Sequence, residues 1–309
     1  MKVTRLPDVE RGRARKVAVG TFDGVHRGHR EVIAGADGVL TFDPHPVSVV
    51  APQHTPRLLT TLDRKAQLIG ALGVGELIVI PFDEEFAQRS AASFLEDVLV
   101  GALGATQVSI GENFRFVNKA KGDRAMLAAD GRFETIVHPL LEVDGEIVSS
   151  SRIRGLLSAG EVAEANKLLG YPFALAGKVA HGDERGRELG FPTANLVPDE
   201  ALACPGHGVY ACVARTGAAG ASDGAGPDGH GTEHAAAVSI GVRPTFATGR
   251  GELIEAYLLD FDGDLYDQPL ELRFLSRLRG ERRFGSAEAL VEQMQRDVAD
   301  TRAIVAARA

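Results

Sequence analysis

Short runs of apolar, β-branched residues alternate with segments of helical periodicity through the first half of the chain. The apolar runs are Val17–Val19, Val39–Phe42, Leu77–Ile80, Val108–Ile110 and Thr135–Val137, and helices are predicted over Thr61–Leu72, Ala91–Leu99 and Asp123–Ala129. Two short helices, Arg152–Ser158 and Glu161–Leu169, follow the last run. This alternation predicts βαβ units and a mostly parallel sheet, which binds ligands at the carboxyl ends of its strands.

After Tyr171 the pattern changes to apolar runs separated by clusters of Gly, Pro and Asp. These runs are Val209–Val213, Ala236–Ile240, Leu253–Leu259 and Leu270–Leu275. Their spacing predicts a small antiparallel β-barrel. We therefore predict two domains, residues 1–170 and 171–309, and interpret the glycine-rich stretch 217–231 as a surface loop between two barrel strands.

A last helix is predicted after Ser286, whose hydroxyl can cap it. Leu290, Met294 and Val298 recur at helical spacing in this segment. They predict one apolar face packed against the barrel.

Composition is that of an ordinary globular protein of two domains: 309 residues, 44% hydrophobic and 25% charged. The net charge of −8 gives no general electrostatic case for binding nucleic acid or an anionic membrane. The sequence has no apolar run of bilayer length and no signal peptide, so we expect a cytoplasmic protein. Cys204 and Cys212 have no metal-site spacing, which predicts buried or idle thiols.

The string GTFDGVHRGH, Gly20–His29, follows the first apolar run and leads into a helical segment. Free backbone N–H groups and the helix dipole make such a turn suitable for binding phosphate. Gly24 and Gly28 allow the backbone to approach a ligand closely. His26 and His29 can donate hydrogen bonds to phosphate oxygens as charge develops on them. The alternative is a strand–turn–helix with histidines on the surface, but the full ten-residue string favours phosphate binding.

This string resembles the phosphate-binding motif of the HxGH nucleotidylyltransferases. The TFDGVH portion resembles the bacterial bifunctional riboflavin kinase/FMN adenylyltransferases, also called FAD synthetases. The resemblance implies an α/β Rossmann-like nucleotidylyltransferase domain, followed by an antiparallel riboflavin kinase barrel with a C-terminal helix. It also implies catalytic roles for two histidines and nucleotide or phosphate contacts nearby. The catalytic pair is His26 and His29, and the contacts are Gly20, Phe22, Asp23 and Gly28.

Two later segments at the sheet edge are similar to the same family. FDPHP, Phe42–Pro46, carries His45 at the end of the second run, where the resemblance implies a phosphate contact. GENFRF, Gly111–Phe116, carries Asn113, which can bind a flavin or nucleotide edge, and Arg115, which can hold a phosphate.

A third segment, VSSSRIR at Val148–Arg154, opens a helix with serines and a basic residue. Ser150, Ser151 and Arg152 suit an oxyanion, and the family uses a similar string to hold ATP. An ordinary helix cap is the alternative interpretation of the serines.

The resemblance implies in-line attack by the FMN phosphate on the α-phosphate of ATP, which releases pyrophosphate, with Mg²⁺ present. Two features depart from the family. Only about ten residues separate His29 from Leu40, which predicts a shortened first helix. Val117 stands where the family has glycine, and a β-branched residue restricts the backbone there.

HGDERGRELGFPTANL, His181–Leu196, resembles the riboflavin kinase motif. Thr193 and Asn195 offer oxygen ligands that suit Mg²⁺ bridging nucleotide phosphates. An ordinary Pro-Thr turn with glycine-rich edges is the structural alternative. No Walker-type phosphate loop occurs in the sequence, so this kinase is of another class.

The catalytic base is predicted on a later strand, in LIEAYLLDF, Leu253–Phe261. Period two places Glu255 on one face with Leu253, Tyr257 and Leu259. Partial burial would let this carboxylate accept a proton from the ribityl hydroxyl. The family has a glutamate in the corresponding string, and a half-exposed edge glutamate is the alternative.

The leading hypothesis is therefore an enzyme that phosphorylates riboflavin to FMN and adenylylates FMN to FAD, with ATP and Mg²⁺ in both steps. One alternative keeps only the riboflavin kinase and a degenerate first domain. A non-catalytic flavin-binding protein is the other. The sequence leaves open a modified flavin as substrate and whether the chain forms a homo-oligomer.

Overall fold

The computed structural model describes residues 1–115, 122–181, 191–217, 231–242 and 252–308. The chain forms two compact units, Met1–Ser150 and Ser151–Ala309. This division lies twenty residues before the predicted boundary, and a functional boundary near Gly170 stays a prediction. Val117, part of the first kinase motif and most of the glycine-rich insert lie outside the described residues.

Six strands of the first unit form a sheet in which every pairing is parallel. They are β1 (Lys2–Arg5), β2 (Arg15–Val19), β3 (Gly38–Asp43), β4 (Glu76–Pro81), β5 (Ala105–Gly111) and β6 (Glu134–His138), in the spatial order β1-β4-β3-β2-β5-β6. The strand order reverses at β2, which lies between β3 and β5. The turn after β2 therefore occupies the switch point where such sheets bind ligands.

Helices connect these strands. They are α1 (Arg27–Ile33), α2 (Pro46–Val50), α3 (Leu62–Gly70), α4 (Glu84–Ala87), α5 (Ala91–Ser93), which continues as a π-helical segment over Phe94–Ala102, and α6 (Arg124–Ala129). A short hairpin of β7 (Glu142–Val143) and β8 (Glu146–Ile147) follows. The five predicted strands and three predicted helices are confirmed. The short first helix is also confirmed, since α1 has seven residues.

A buried ion pair connects β2 and β4 at their first residues, Arg15 and Glu76. Arg15 is 1% exposed, and its Nε donates to Glu76 Oε2 at 3.3 Å. Thr4 Oγ1 donates to the other carboxylate oxygen at 2.9 Å. The Arg15 guanidinium also donates to the Leu103 carbonyl at 3.0 Å. Both charges are thus hydrogen-bonded, as buried charges must be.

Helix α7 (Ser150–Ala159), which belongs to the second unit from Ser151 onward, and α8 (Val162–Leu169) precede a closed antiparallel barrel. Its strands are β9 (Ala174–Ala180), β10 (Ala194–Pro198), β11 (Gly208–Thr216), β12 (Glu233–Val242), β13 (Glu252–Leu258) and β14 (Pro269–Arg279), in the order β10-β13-β12-β11-β14-β9. The barrel and both short helices are confirmed. The sequence prediction missed β9 and β10, because their segments were interpreted as a domain junction and a ligand loop.

The last helix, α9 (Ala287–Ala306), begins at the predicted cap, where Ser286 Oγ accepts from Ala289 N at 3.2 Å. Its most buried residues are polar: Asp297 at 4% and Thr301 at 0% exposure. Arg279 on β14 donates to both carboxylate oxygens of Asp297, at 3.0 and 2.7 Å. An ion pair therefore supplements the predicted apolar face.

Candidate active sites

The turn after β2 has an unusual backbone. Phe22 (φ 47°), Gly24 (φ 84°) and Val25 (φ 38°) all lie in the left-handed region. Glycine tolerates this conformation, whereas a bulky or β-branched residue adopts it at a cost. Phe22 and Val25 are nevertheless buried, at 2% and 0% exposure. Surrounding contacts must therefore hold the turn in place.

Asp23 provides several of those contacts. Its Oδ1 accepts from the backbone N–H groups of Leu59 at 2.8 Å and Thr60 at 3.2 Å. Gly24 N donates to Thr60 Oγ1 at 3.2 Å, and Ser150 Oγ donates to the Asp23 carbonyl at 2.8 Å. Asp23 is 2% exposed and binds protein backbone through this oxygen. Its predicted nucleotide contact stays a prediction.

The two motif histidines lie face to face at the start of α1. Their ring centroids are 3.4 Å apart, with an interplanar angle of 15°. His26 caps the helix, since its Nδ1 accepts from His29 N at 3.2 Å. In the neutral ring, Nε2 of His26 then carries the hydrogen and can donate it to a ligand. The Phe22 ring packs edge-on to His29 at 5.3 Å and supports it from the side.

His29 has a buried Nδ1 with no hydrogen-bond partner among the residues that the structure describes. Burial lowers the pKa of His29 well below its ordinary value, and the charges of His26 and Lys65 lower it further. The ring is therefore neutral near pH 7. A polyanionic ligand would favour its protonation, because an adjacent negative charge stabilises imidazolium.

The sequence reasoning missed Lys65, on α3. Its side chain is 8% exposed, and Nζ donates to the Thr21 carbonyl at 2.8 Å and to Thr41 Oγ1 at 3.4 Å. The sequence does contain a signal for this position. Lys65 precedes the apolar Ile69 by four residues, a spacing that puts both side chains on the same, buried face of α3.

A cleft of about 910 Å³ opens at the same edge of the sheet. Thr21, His45, Asn113 and Arg115 line it. Five aromatic side chains form much of its wall: Phe42, Phe82, Phe86, Phe94 and Phe114. Three predicted site residues from two separate loops, His45 after β3 and Asn113 and Arg115 after β5, are thus brought to one cleft. Its size and apolar wall suit a planar ring system with a polar tail.

The polar residues of the cleft differ in how firmly they are held. His45 caps α2 through its Nδ1, which accepts from Val47 N at 3.2 Å. Arg115 is exposed and pairs with Asp123 at 3.5 Å. An anionic ligand would therefore compete with Asp123 for this guanidinium.

Five predicted residues of the first site remain. Two are glycines, Gly20 directly after β2 and Gly28 at the start of α1, and three stand at the start of α7: Ser150, Ser151 and Arg152. A Cβ on Gly20 would press against the Phe22 ring at 3.0 Å, whereas one on Gly28 would make only ordinary contacts at 3.5 Å or more. Ser150 contacts the turn, as described above. Ser151 and Arg152 continue α7 in the second compact unit, and their roles stay predictions.

In the barrel, Asn195 and Glu255 are directly opposite each other on neighbouring strands β10 and β13. Directly paired residues point to the same face of a sheet. Asn195 is 8% exposed, and its Oδ1 is buried with no hydrogen-bond partner among the described residues. Glu255 is half-buried, while its neighbours Ile254 and Ala256 are buried on the other face.

A buried acceptor oxygen without a partner is costly unless a ligand binds it. An amide oxygen beside a carboxylate is a donor set that Mg²⁺ prefers. Within the described ranges, no three His, Cys, Asp or Glu side chains are grouped as metal ligands. The residues present therefore fit a cation that nucleotide phosphates help to hold, rather than a metal enclosed by protein alone.

Thr193 lies two residues before Asn195 and lines a second cleft of about 530 Å³. Asp262, Asp264 and Tyr266 of the segment after β13 line its other side. The Tyr266 ring stacks on His181 with centroids 3.9 Å apart. Thr193 is thus brought to a cleft at the barrel, next to the strand that carries Asn195.

Comparison with known proteins agrees with this two-part arrangement. The FAD synthetase family model matches residues 9–152, and the riboflavin kinase family model matches residues 169–305. A bifunctional riboflavin kinase/FMN adenylyltransferase from Listeria monocytogenes is 38% identical over 94% of this chain and 92% of its own length. The Escherichia coli K12 protein of the same name is 35% identical over 91% of this chain and 90% of its own.

The chain belongs to the bifunctional riboflavin kinase/FMN adenylyltransferase family. Among solved structures, it is similar to a crystal structure described as a macrolide-efflux protein from Streptococcus pneumoniae. That similarity has a TM-score of 0.85 and 29% sequence identity, and it covers 98% of this chain and 99% of the other. In the described part of this chain, no helix is long and apolar enough to cross a membrane.

As a member of this family, the chain is an α/β Rossmann-like nucleotidylyltransferase unit joined to a riboflavin kinase barrel. The shortened α1 does not prevent the two histidines from meeting at the switch point of the sheet. Of the two cysteines, for which the sequence predicts buried or idle thiols, Cys204 is half-buried. Cys212 is fully buried, and burial raises the pKa of its thiol well above the ordinary value.

Proposed function

We propose that this chain phosphorylates riboflavin to FMN in its barrel and adenylylates FMN to FAD in its first unit. ATP is the co-substrate of both steps. One observation carries the proposal: the chain combines a stacked histidine pair at a sheet switch point with a strand-paired Asn195 and Glu255 in the barrel. Its family membership supports the same pair of reactions. ATP and FMN are cytoplasmic metabolites, so we propose that the enzyme acts there.

In the first unit, an FMN phosphate oxygen attacks the α-phosphorus of ATP in line. The bond from that phosphorus to the bridging oxygen breaks, and pyrophosphate leaves. The aromatic cleft would hold the flavin ring, with Asn113 at its edge and Arg115 and His45 toward phosphate. His26 Nε2–H and the His29 ring would donate to phosphate oxygens as negative charge increases.

ATP would lie along the turn that joins β2 to α1. We assign its contacts to the backbone and side chains of this turn, at Gly20, Phe22, Asp23 and Gly28, and to Ser150, which donates to the Asp23 carbonyl. The predicted ATP contacts of Ser151 and Arg152 stay predictions. No side-chain nucleophile is needed, because both reacting groups come from the substrates.

In the barrel, Glu255 would accept the proton of the terminal ribityl hydroxyl as its oxygen attacks the γ-phosphorus of ATP. The bond from the γ-phosphorus to the bridging oxygen breaks, and ADP leaves. Thr193 and Asn195 would hold Mg²⁺, which when bound neutralises charge on the phosphates. The Oδ1 of Asn195, which is buried and has no hydrogen-bond partner in the part of the chain that the structure describes, supports this assignment.

The test is chromatography of flavins after the purified full chain is incubated with ATP and Mg²⁺ plus either riboflavin or FMN. The proposal expects FAD from both substrates. FMN that accumulates without FAD would leave a riboflavin kinase only. No product from either flavin, with binding retained, would indicate a flavin-binding protein. A reaction with excess chelator is the matched control for the metal.

A further inference from the structure

Lys65 is a buried cation that contacts the turn after β2 but does not belong to that turn. It comes from α3, a helix outside the motif, and reaches the carboxyl edge of the sheet. Its Nζ meets the Thr21 carbonyl, one residue before the left-handed Phe22. The same carbonyl also accepts from Thr41 Oγ1 at 3.0 Å. Two donors from different elements thus converge on one carbonyl oxygen at the base of the turn.

A structural role alone does not account for a lysine at this position. Thr41 already satisfies the Thr21 carbonyl, and Asp23 already ties the turn to Leu59 and Thr60. Removing an ammonium group from water costs free energy, and burial lowers the pKa of Lys65. A hydrogen bond of this kind needs only a neutral donor. The positive charge is therefore the feature to be explained.

The charged groups that face Lys65 come from three other segments. Asp23 of the turn and Asp43 at the end of β3 both favour its ammonium form. His29 of α1 faces it with the opposite effect, because two cations would repel. His26 is the other titratable group that acts on His29. Lys65 thus acts electrostatically on the histidine that is expected to meet the substrate.

We propose that Lys65 is a positioning residue for adenylyl transfer: its ammonium group, hydrogen-bonded to the Thr21 carbonyl behind the turn, supplies a fixed positive charge that faces His29, the ring expected to meet the α-phosphate of ATP. This inference rests on the proposed function of the first unit. Burial is the main cause of the lowered pKa of His29, and the charges of His26 and Lys65 lower it further, so the ring is neutral in the free enzyme. The positive field behind the turn attracts a polyanion.

The test compares the full-length Lys65→Met, Lys65→Gln and Lys65→Arg variants with a Lys16→Met control, whose lysine is exposed on β2. Lys65→Met should lower kcat for FAD formation from FMN about 100-fold, as loss of one preorganised electrostatic group does. KM for FMN and the rate of riboflavin phosphorylation should stay unchanged. Lys65→Arg keeps the charge and should retain more kcat than Lys65→Gln. Lys16→Met should behave as wild type.

A second readout does not depend on turnover. Titration of the His29 ring by NMR should show a higher pKa in Lys65→Met than in wild type, because a neighbouring cation has been removed. A wild-type kcat in folded Lys65→Met would overturn the inference. If Lys65→Met does not fold, the comparison of Lys65→Gln with Lys65→Arg decides. The inference would be overturned if Lys65→Gln forms FAD from FMN with a kcat equal to or above that of Lys65→Arg.

Failure of the proposed function is distinguishable from failure of this inference. If wild type makes no FAD from FMN, the proposed adenylylation is wrong. The His29 titration then decides whether Lys65 acts on the histidine, and an unchanged titration in the variant would overturn that link.

Discussion

Asn195 and Glu255 face each other across the β10–β13 ladder, so a carboxylate shares one face of the barrel with an amide oxygen that has no hydrogen-bond partner among the described residues. The proposed metal ligand and the proposed general base are thereby fixed by the backbone hydrogen bonds of paired strands rather than by loops. Sites on strands have well-defined side-chain positions, which catalysis requires. This relationship leads to the first two predictions.

Glu255→Gln should lower kcat for riboflavin phosphorylation by about 10²- to 10⁴-fold, the usual contribution of a general base. The amide is isosteric but accepts no proton at neutral pH. FAD formation from FMN should be unaffected, because that chemistry occurs in the other unit. Steady-state kinetics with both flavins measure this, with Glu252→Gln on the same strand as the control. Full kinase activity in Glu255→Gln would show that another group is the base.

Asn195→Leu should abolish riboflavin phosphorylation without loss of stability. Leucine has a similar volume and removes a buried oxygen that has no partner among the described residues, so folding loses no hydrogen bond from that oxygen. Asn195→Asp retains an oxygen ligand and should need a different Mg²⁺ concentration for half-maximal activity. Kinase assays over a Mg²⁺ series and thermal unfolding check both variants. A strongly destabilised Asn195→Leu protein would instead assign Asn195 a structural role.

The stability of the first unit should fall as pH is lowered from about 7 to 5. His29 has a folded pKa well below its unfolded value, so the unfolded chain binds a proton in this window and the folded chain does not. The free energy of unfolding therefore decreases with falling pH. The slope from one such group is at most about 1.4 kcal/mol per pH unit.

His29→Gln removes this titrating group and should flatten that slope. Urea unfolding of both proteins at pH 5, 6 and 7 measures the difference. The same variant should also lose FAD formation while keeping riboflavin phosphorylation. Equal slopes in wild type and variant would contradict the buried, neutral state of this ring.

Glu76→Ala should destabilise the first unit by about 3–5 kcal/mol. It leaves Arg15 buried at 1% exposure without its carboxylate, and it removes the acceptor of Thr4. Glu134→Ala, at an exposed position at the start of β6, is the control and should change little. Denaturant unfolding checks the pair. A small effect of Glu76→Ala would mean that water reaches the guanidinium.

Apolar periodicity alone predicted the parallel sheet, the barrel and the last helix, because these patterns are local in the sequence. Strand β1 was missed because only Thr4 of its four residues is buried. Helix α2 was missed because Pro44, before it, and Pro46, at its start, are typical of a rigid turn. The role of Asp23 could not be found from the sequence, since its backbone partners lie 36 and 37 residues further along the chain. Lys65 was passed over because a lysine on a helix is usually solvated.

The left-handed backbone at Phe22 and Val25 has a consequence for how this protein has been selected. Each non-glycine residue in that conformation costs about 1–2 kcal/mol that glycine would not. Neither side chain is replaceable by glycine without emptying space in the core, where both are buried. Glycine would relieve the backbone strain at either position but would remove a buried side chain from the core. Natural variation at this turn should therefore be narrow.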